Sequence, residues 1–128
     1  MKKQSVAILL ENKEGKILFL LRDDKPTIKF PNMWDQLGGV VEKDETPEEA
    51  IVREMKEEIE LDLKDFKLFK VYDWPEKIET VFHKRLSLDV DKINLHEGQK
   101  VQYFSKNELL SMNLAFHDNE IMRDFFNQ

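Results

Sequence analysis

Short apolar runs separated by polar turns recur along most of the chain, and this pattern predicts a protein rich in β-strands. Two runs near the start, "SVAILLEN" and "KILFLLR", are separated by "NKEG", so we expect a two-stranded hairpin with Gly15 in its turn. A break at Pro75 separates two of the later runs. These later runs predict three more strands, in "FKLFKVYDW", "ETVFHKRLSLDV" and "KVQYFS".

The most strongly marked helix begins after Thr46. Thr46 is a good N-cap, Pro47 suits the first helical position, and Glu49 stands where a capping box needs an acidic side chain. This combination predicts a central helix over "TPEEAIVREMKEEIEL". Two shorter helices are predicted to close the chain, in "SKNELLSM" and "HDNEIMRDFFNQ".

The remaining segments connect these elements within one compact unit. "DDKPTIKFPNMWD" contains two prolines and is predicted to be a loop, and "QLGGVVE" is a short segment with two glycines. The 128 residues contain no repeat and no linker, so residues 1–128 are expected to form a single domain. The predicted class is α/β, a mixed sheet with flanking helices.

Charge and composition narrow the function. The net charge is -6 and the sequence pI is about 5.1, which argues against binding to nucleic acid or to an anionic membrane. A small phosphorylated substrate held through a cation remains compatible with this charge. The chain has no cysteine, and its first apolar run is too short to span a membrane, so we expect a cytoplasmic protein.

The central helix carries three glutamates on one face. Glu54, Glu57 and Glu58 stand at i, i+3 and i+4, and the like-charged pair Glu54 and Glu58 takes a spacing where a basic partner would stabilise the helix. A divalent cation would offset this repulsion, and oxygen ligands suit Mg²⁺ or Mn²⁺. The spacing alone leaves a metal site and an acidic surface as alternatives. The adjacent apolar stripe, predicted to pack on the sheet, is Ile51, Met55 and Ile59.

The residues before and within this helix add to the metal interpretation. Gly38 and Gly39 allow the backbone to approach a ligand closely, and a carbonyl there is a candidate cation ligand. Glu45 and Arg53 are expected to pair and to brace the preceding loop against the helix. The alternative for this pair is an ordinary surface ion pair, which would contribute little to stability.

The stretch "GVVEKDETPEEAIVREMKEEIEL" resembles the Nudix box, in which G, five residues and E are followed by seven residues and R-E-U-x-E-E-x-G-U, where U is bulky and aliphatic. One position departs from this pattern, because Glu60 stands where the family has glycine. The upstream "MWDQLGG" is similar to the family's W-x-L-P-G-G, with Gln36 and Leu37 as replacements. The positions that fit the box are Gly39, Glu45, Arg53, Glu54, Met55, Glu57, Glu58 and Leu61.

The resemblance implies a fold, a cofactor and a reaction. The fold is an α/β/α sandwich, and the reaction is hydrolysis of a pyrophosphate bond in a nucleoside diphosphate linked to a group X. The resemblance implies structural roles for Gly39, Glu45 and Arg53. The implied Mg²⁺ ligands, with Mn²⁺ as a substitute, are Glu54, Glu57 and Glu58, with the Gly38 carbonyl as an additional candidate.

Three residues outside the box become candidates through the same resemblance. Glu97, in "HEGQKVQYFS", corresponds to a loop glutamate that reaches the metal site in MutT-type members, and it is a candidate base and ligand. Arg22 corresponds to a phosphate-binding arginine and Asn119 to an asparagine that contacts a purine. The alternatives are a plain loop carboxylate for Glu97, an exposed strand end for Arg22 and a helix cap for Asn119.

The size of the chain and the E-G-Q segment favour a nucleoside triphosphate, cleaved to a monophosphate and pyrophosphate. One alternative is a nucleotide sugar such as ADP-ribose, although relatives of that type often carry an additional N-terminal region that this sequence does not show. A non-catalytic nucleotide sensor usually loses box glutamates, and all three are present here. A purely structural acidic helix would bind no cation. The expected partner is a small nucleotide, and both a monomer and a homodimer agree with the sequence.

Overall fold

Residues 2–128 are described by a computed structural model, and within them the chain forms one six-stranded sheet with helices on both faces. No helix in this range is both long and apolar enough to cross a membrane. The strands are β1 (Lys3–Glu11), β2 (Ile17–Leu21), β3 (Trp34–Val40), β4 (Lys67–Asp73), β5 (Lys77–Arg85) and β6 (Lys100–Phe104), and the helices are α1 (Pro47–Ile59), α2 (Lys106–Ser111) and α3 (Asp118–Phe126).

The sheet is mixed, as predicted, with the strand order β4-β5-β1-β3-β2-β6. Only β1 and β5 run parallel, and the other neighbouring pairs are antiparallel. The predicted hairpin is correct for its turn but wrong for its pairing, since β1 and β2 pair only at Glu11 and Ile17. Beyond that point β3 lies between them, and it aligns Gly38 with Ala7 on one side and Gln36 with Phe19 on the other.

Each face of the sheet is covered by its own apolar core. Ile8 and Leu10 of β1 belong to the cluster beneath α1, whereas Leu9 between them belongs to the cluster beneath α2 and α3. This alternation follows from the two-residue period of a strand. The predicted stripe on α1 is confirmed, because Ile51 and Met55 are fully buried in the first cluster and Ile59 is 5% exposed.

The strand predicted from "ETVFHKRLSLDV" ends earlier than expected, at Arg85. The chain beyond it runs as a loop with one turn of 3-10 helix at Val90–Lys92. The hydroxyl of Tyr103 accepts a hydrogen bond from the Leu88 N–H at 3.0 Å and donates one to the Leu86 carbonyl at 3.2 Å. A side chain therefore supplies the partners that a neighbouring strand would have supplied.

Both ends of α1 are defined by local hydrogen bonds. At the start, the Glu49 N–H donates to the Thr46 hydroxyl at 3.1 Å and the Thr46 N–H donates to the Glu49 carboxylate at 2.9 Å, so the predicted capping box is confirmed. At the end, Glu60 adopts the left-handed conformation with φ 54°. The Glu60 N–H donates to the Lys56 carbonyl at 3.1 Å, as in an αL motif, and the Leu61 N–H donates to the Met55 carbonyl at 3.1 Å.

The orientation of α1 can be tested with two substitutions on opposite faces. Met55→Ala should lower the free energy of unfolding by about 2–5 kcal/mol, because it opens a cavity in a fully buried position. Val52→Ala is the matched control, and at 38% exposure it should change that free energy by no more than about 0.5 kcal/mol. Urea unfolding measures both values, and equal losses would contradict this packing.

Candidate metal and nucleotide site

Three carboxylates from two separate segments meet at one place. Glu54 and Glu58 lie on successive turns of α1, and Glu97 lies in the loop before β6. One oxygen from each of the three lies within 4.8 Å of the other two. The Glu58 side chain is buried, whereas Glu97 is exposed to solvent, so the cluster is accessible from one side.

The charges of this cluster are poorly compensated by the protein. Burial, together with the negative charges of Glu97 and Glu54, raises the pKa of Glu58 to about 10. Although Glu97 is exposed as a residue, the surrounding protein partly removes water from its carboxylate, and this desolvation, followed by the charge of Glu54, raises the pKa of Glu97. Within residues 2–128, neither Glu58 nor Glu97 forms a salt bridge.

These properties fit a divalent cation. The donor set consists of oxygen atoms alone, which is the set preferred by hard cations such as Mg²⁺. A cation bound between the carboxylates would favour their charged forms and would remove the repulsion that raises their pKa values. The alternative of an ordinary solvated acidic face does not explain why Glu58 is buried.

Arg53 joins the cluster to the loop that precedes α1. Its guanidinium donates to both oxygens of Glu45, at 2.8 and 3.0 Å, and to the Val40 carbonyl at 2.9 Å. The predicted Glu45 and Arg53 pair is therefore confirmed as a bidentate contact, and this hydrogen bond lowers the pKa of Glu45. A further N–H of Arg53 donates to Glu54 at 2.8 Å, so the same side chain orients one carboxylate of the cluster.

Glu57 lies apart from the three clustered carboxylates. Its side chain is 60% exposed, and its carboxylate accepts a hydrogen bond from Arg53 at 3.2 Å. The sequence grouped Glu57 with Glu54 and Glu58 because they share one helix face. In the structure Glu97, instead of Glu57, forms the close group with Glu54 and Glu58. Glu57 contacts Arg53.

Two adjacent glycines leave room for this arrangement. A Cβ on Gly39 would lie 2.4 Å from the carboxyl carbon of Glu54, so any larger residue would displace that carboxylate. A Cβ on Gly38 would lie 2.0 Å from the Val6 carbonyl oxygen, on the neighbouring strand β1. Gly38 is thus required for the pairing of β1 with β3, and Gly39 for the placement of Glu54.

The loop that carries Glu97 is fixed against both neighbouring elements. The His96 N–H donates to the Glu58 carbonyl at 2.9 Å, which joins the loop to the end of α1. On the other side, the Gln99 N–H donates to the Leu21 carbonyl at 2.8 Å, which joins the loop to β2. Glu97 lies between these two anchors, and this explains how an exposed loop residue reaches the helix carboxylates.

A cavity of about 720 Å³ extends from Gly39 and Glu97 across the sheet. Its size lies within the range of pockets that hold small ligands and cofactors. Basic, acidic and aromatic side chains contribute to its walls, so the cavity combines charges of both signs with flat apolar surface. The basic and aromatic ones are Lys3, Arg22, Lys29, Lys77, Phe30 and Phe116, and the acidic ones are Asp35, Glu76, Glu79 and Glu97.

Two aromatic rings pack together at the wall of the cavity. The ring centroids of Phe30 and Phe116 lie 4.6 Å apart, and both residues have left-handed φ angles, 50° and 51°. Phe30 lies in the loop between β2 and β3, and Phe116 lies in an irregular loop before α3. Three other aromatic side chains pack within or against the apolar core, and they are Trp34, Tyr72 and Trp74.

The two predicted substrate contacts have different outcomes. Arg22 lines the cavity, where its guanidinium donates to the Lys29 carbonyl at 2.9 Å and to Asp35 at 3.2 Å. The Asn119 side-chain amide forms two hydrogen bonds with the backbone: it accepts from the Leu114 N–H at 2.9 Å and donates to the Met112 carbonyl at 2.7 Å. The Asn119 amide thus stabilises the turn between α2 and α3 in this structure, and its contact with a purine stays a prediction.

A buried aspartate near the cavity was not predicted from the sequence. The carboxylate of Asp118 accepts from the Gln36 backbone N–H at 3.0 Å and from the Gln36 side-chain amide at 2.7 Å. Burial and then the charge of Asp35 raise the pKa of Asp118 well above its ordinary value. This contact gives Gln36, which replaces an apolar residue of the family pattern, a polar partner on α3. The two residues are 82 positions apart, so no local pattern indicates their contact.

Comparison with known proteins agrees with this geometry. A family model described as the NUDIX domain matches residues 1–125. The chain is 36% identical over 122 residues to an ADP-ribose pyrophosphatase of Methanocaldococcus jannaschii. This alignment covers 88% of this chain and 67% of that protein. It is 32% identical over 84 residues to the 8-oxo-dGTP diphosphatase of Escherichia coli, and this alignment covers 64% of each chain.

A solved structure agrees with the fold. The MutT protein from Methanosarcina mazei superimposes with a TM-score of 0.79 at 24% identity, and the alignment covers 98% of this chain and 94% of that one. The chain spans about two thirds of the length of the two curated relatives. The family model over nearly the whole chain, together with the carboxylate cluster that α1 forms with the loop before β6, shows that the chain belongs to the NUDIX family of pyrophosphohydrolases.

Proposed function

We propose that this protein is a Mg²⁺-dependent hydrolase that cleaves a nucleoside triphosphate to a nucleoside monophosphate and pyrophosphate. One observation carries the proposal. The carboxylate cluster of Glu54, Glu58 and Glu97 adjoins a cavity of about 720 Å³, which Glu97 lines together with basic and aromatic side chains. A nucleotide has the complementary chemistry, because its phosphates are anionic and its base is flat.

The proposed metal ligands are Glu54 and Glu58 on α1, with Glu97, Glu57 and the Gly38 carbonyl as further candidates. When bound, Mg²⁺ would offset the negative charge that develops on the phosphoryl oxygens, and Mn²⁺ would substitute for it. Glu97 is also the proposed base, since it is exposed to solvent beside the cluster and can reach the attacking water. Burial and the charge of Glu54 raise its pKa toward the range in which a base works well.

Arg22 and the two aromatic rings are the proposed substrate contacts. The Arg22 guanidinium lies 5.0 Å from the centre of the Phe116 ring, and the Lys77 ammonium lies 4.6 Å from it. The two cations thus lie beside the same ring, and each is a candidate to bind a phosphate oxygen. Phe30, packed against Phe116 and 38% exposed, offers a face on which a base can stack.

ADP-ribose is a second candidate substrate. The observation that favours it is the similarity to an ADP-ribose pyrophosphatase over 88% of this chain. A nucleotide sugar would use the same cluster, since it also contains a pyrophosphate bond. A nucleotide sensor without activity is less well supported, because Glu54, Glu57 and Glu58 are all present.

A hydrolysis screen with Mg²⁺ tests the proposed activity. Nucleoside triphosphates, nucleotide sugars and dinucleotides would each be incubated with the protein, and the products separated by ion-exchange chromatography. We expect a triphosphate to give the monophosphate and pyrophosphate, with a higher kcat/KM than ADP-ribose. Faster turnover of ADP-ribose would favour the second candidate, and no turnover of any compound would contradict both.

Glu58→Gln separates metal binding from folding. In metal-free protein between pH 4.5 and about 10, folded Glu58 retains a proton that the unfolded carboxyl releases, so its contribution to stability falls as the pH rises through this window. At pH 8 the metal-free variant should therefore have an equal or higher thermal midpoint than the wild type. Mg²⁺ should raise the midpoint of the wild type but not that of the variant, and kcat should fall by about 100-fold or more.

Glu48→Gln is the matched control, because Glu48 is an exposed glutamate in the first turn of the same helix. Its activity and its response to Mg²⁺ should equal those of the wild type. The proposed ligand set is incorrect if Glu58→Gln retains wild-type turnover and the same stabilisation by Mg²⁺.

A further inference from the structure

Glu60 ends α1 in a conformation that favours glycine. Its φ and ψ are 54° and 36°, in the left-handed region where a side chain with a Cβ is strained. The backbone nevertheless forms the usual helix end, since the Glu60 N–H donates to the Lys56 carbonyl at 3.1 Å. The glutamate is not required for this backbone geometry, which glycine would adopt more easily, so its side chain needs a separate explanation.

The Glu60 carboxylate contacts the loop that carries Glu97. One oxygen lies 2.5 Å from Nε2 of His96, and the other accepts from the Asn94 side-chain amide at 3.4 Å. The backbone N–H of His96 also donates to the Glu58 carbonyl at 2.9 Å. His96 is therefore attached to the end of α1 twice, once through its backbone and once through its side chain.

These contacts act directly next to the carboxylate cluster. Glu97 follows His96, and its carboxylate lies within 4.8 Å of those of Glu54 and Glu58. Ionised carboxylates at this separation repel one another, so Glu97 would move away from Glu54 into solvent if the loop were free to do so. The anchor at Gln99 restrains the loop only on the far side of Glu97.

We propose that Glu60 is a positioning residue that holds Glu97 within reach of the metal, acting through His96 and Asn94. The inference rests on the proposed function, since it requires the cluster to bind a cation. The strained backbone at Glu60 is then the consequence of placing a carboxylate where it can reach the loop. A surface ion pair with only a structural role would affect stability and leave metal binding unchanged.

Mn²⁺ binding to the full-length protein without substrate tests this role, with free Mn²⁺ measured by electron paramagnetic resonance. Glu60→Gly should weaken Mn²⁺ binding by about tenfold, at the low end of the effect of outer partners of metal ligands. Its metal-free thermal midpoint should stay equal or rise, because glycine adopts the left-handed conformation without strain. Glu60→Gln still accepts a hydrogen bond from His96 and should retain most of the affinity.

Asp62→Asn provides the matched control. Asp62 is an exposed carboxylate two residues further along, and it pairs with Lys56 at 3.1 Å instead of with the loop. This variant should bind Mn²⁺ as the wild type does. Hydrogen exchange should show faster exchange of the amides in residues 94–99 for Glu60→Gly alone.

A double-mutant cycle with Glu97→Gln shows whether Glu60 acts through Glu97. In the Glu97→Gln background, Glu60→Gly should cause little further loss of Mn²⁺ affinity. Equal effects in both backgrounds, or unchanged affinity of the single variant, would overturn the inference while leaving the proposed function intact. Failure of the wild type to bind Mn²⁺ would instead overturn the proposed function, and this inference with it.

Discussion

The close approach of three carboxyl groups beside the cavity is the constraint on which the site depends. Glu58 is buried between Glu54 and Glu97, and its pKa is raised to about 10 because burial and both neighbours disfavour its charge. A protein selected only for stability would avoid such a group. The cation that we propose for this site would supply the compensating positive charge, and the surrounding contacts hold the carboxylates together.

Two braces hold this arrangement, one on each side. Arg53 connects Glu54 to Glu45 and to the end of β3, so the helix and the preceding loop behave as one unit. The loop before β6 is anchored to α1 at His96 and to β2 at Gln99. Because α1 covers one face of the sheet while α2 and α3 cover the other, the cavity can extend from the cluster past the glycines of β3.

Much of this architecture could be predicted from local sequence. The capping box at Thr46, the apolar stripe of α1 and the pairing of Glu45 with Arg53 depend on residues close in sequence, and all three are confirmed. The insertion of β3 between β1 and β2 could not be predicted in the same way, since strand order depends on pairing between distant segments. Asp118 shows the same limit, because its partner Gln36 is 82 residues away.

The departures from the family pattern are explained only by tertiary contacts. Leu37, which replaces a proline, is fully buried in the core beneath α1, and Gln36 binds Asp118 on the opposite face. Glu60, which replaces a glycine, adopts the same left-handed conformation that ends the helix, and its carboxylate contacts His96. Each replacement is consistent with its surroundings, although none of these contacts is visible in the sequence around it.

A crystal structure of the protein with Mn²⁺ and a non-hydrolysable nucleoside triphosphate analogue tests the central claim most directly. Anomalous scattering would locate the Mn²⁺ without reference to the protein. We expect an anomalous peak at bonding distance from oxygens of both Glu54 and Glu58, with the phosphates of the analogue beside it and its base near Phe30. A peak away from these carboxylates, or an analogue bound outside the cavity, would contradict it.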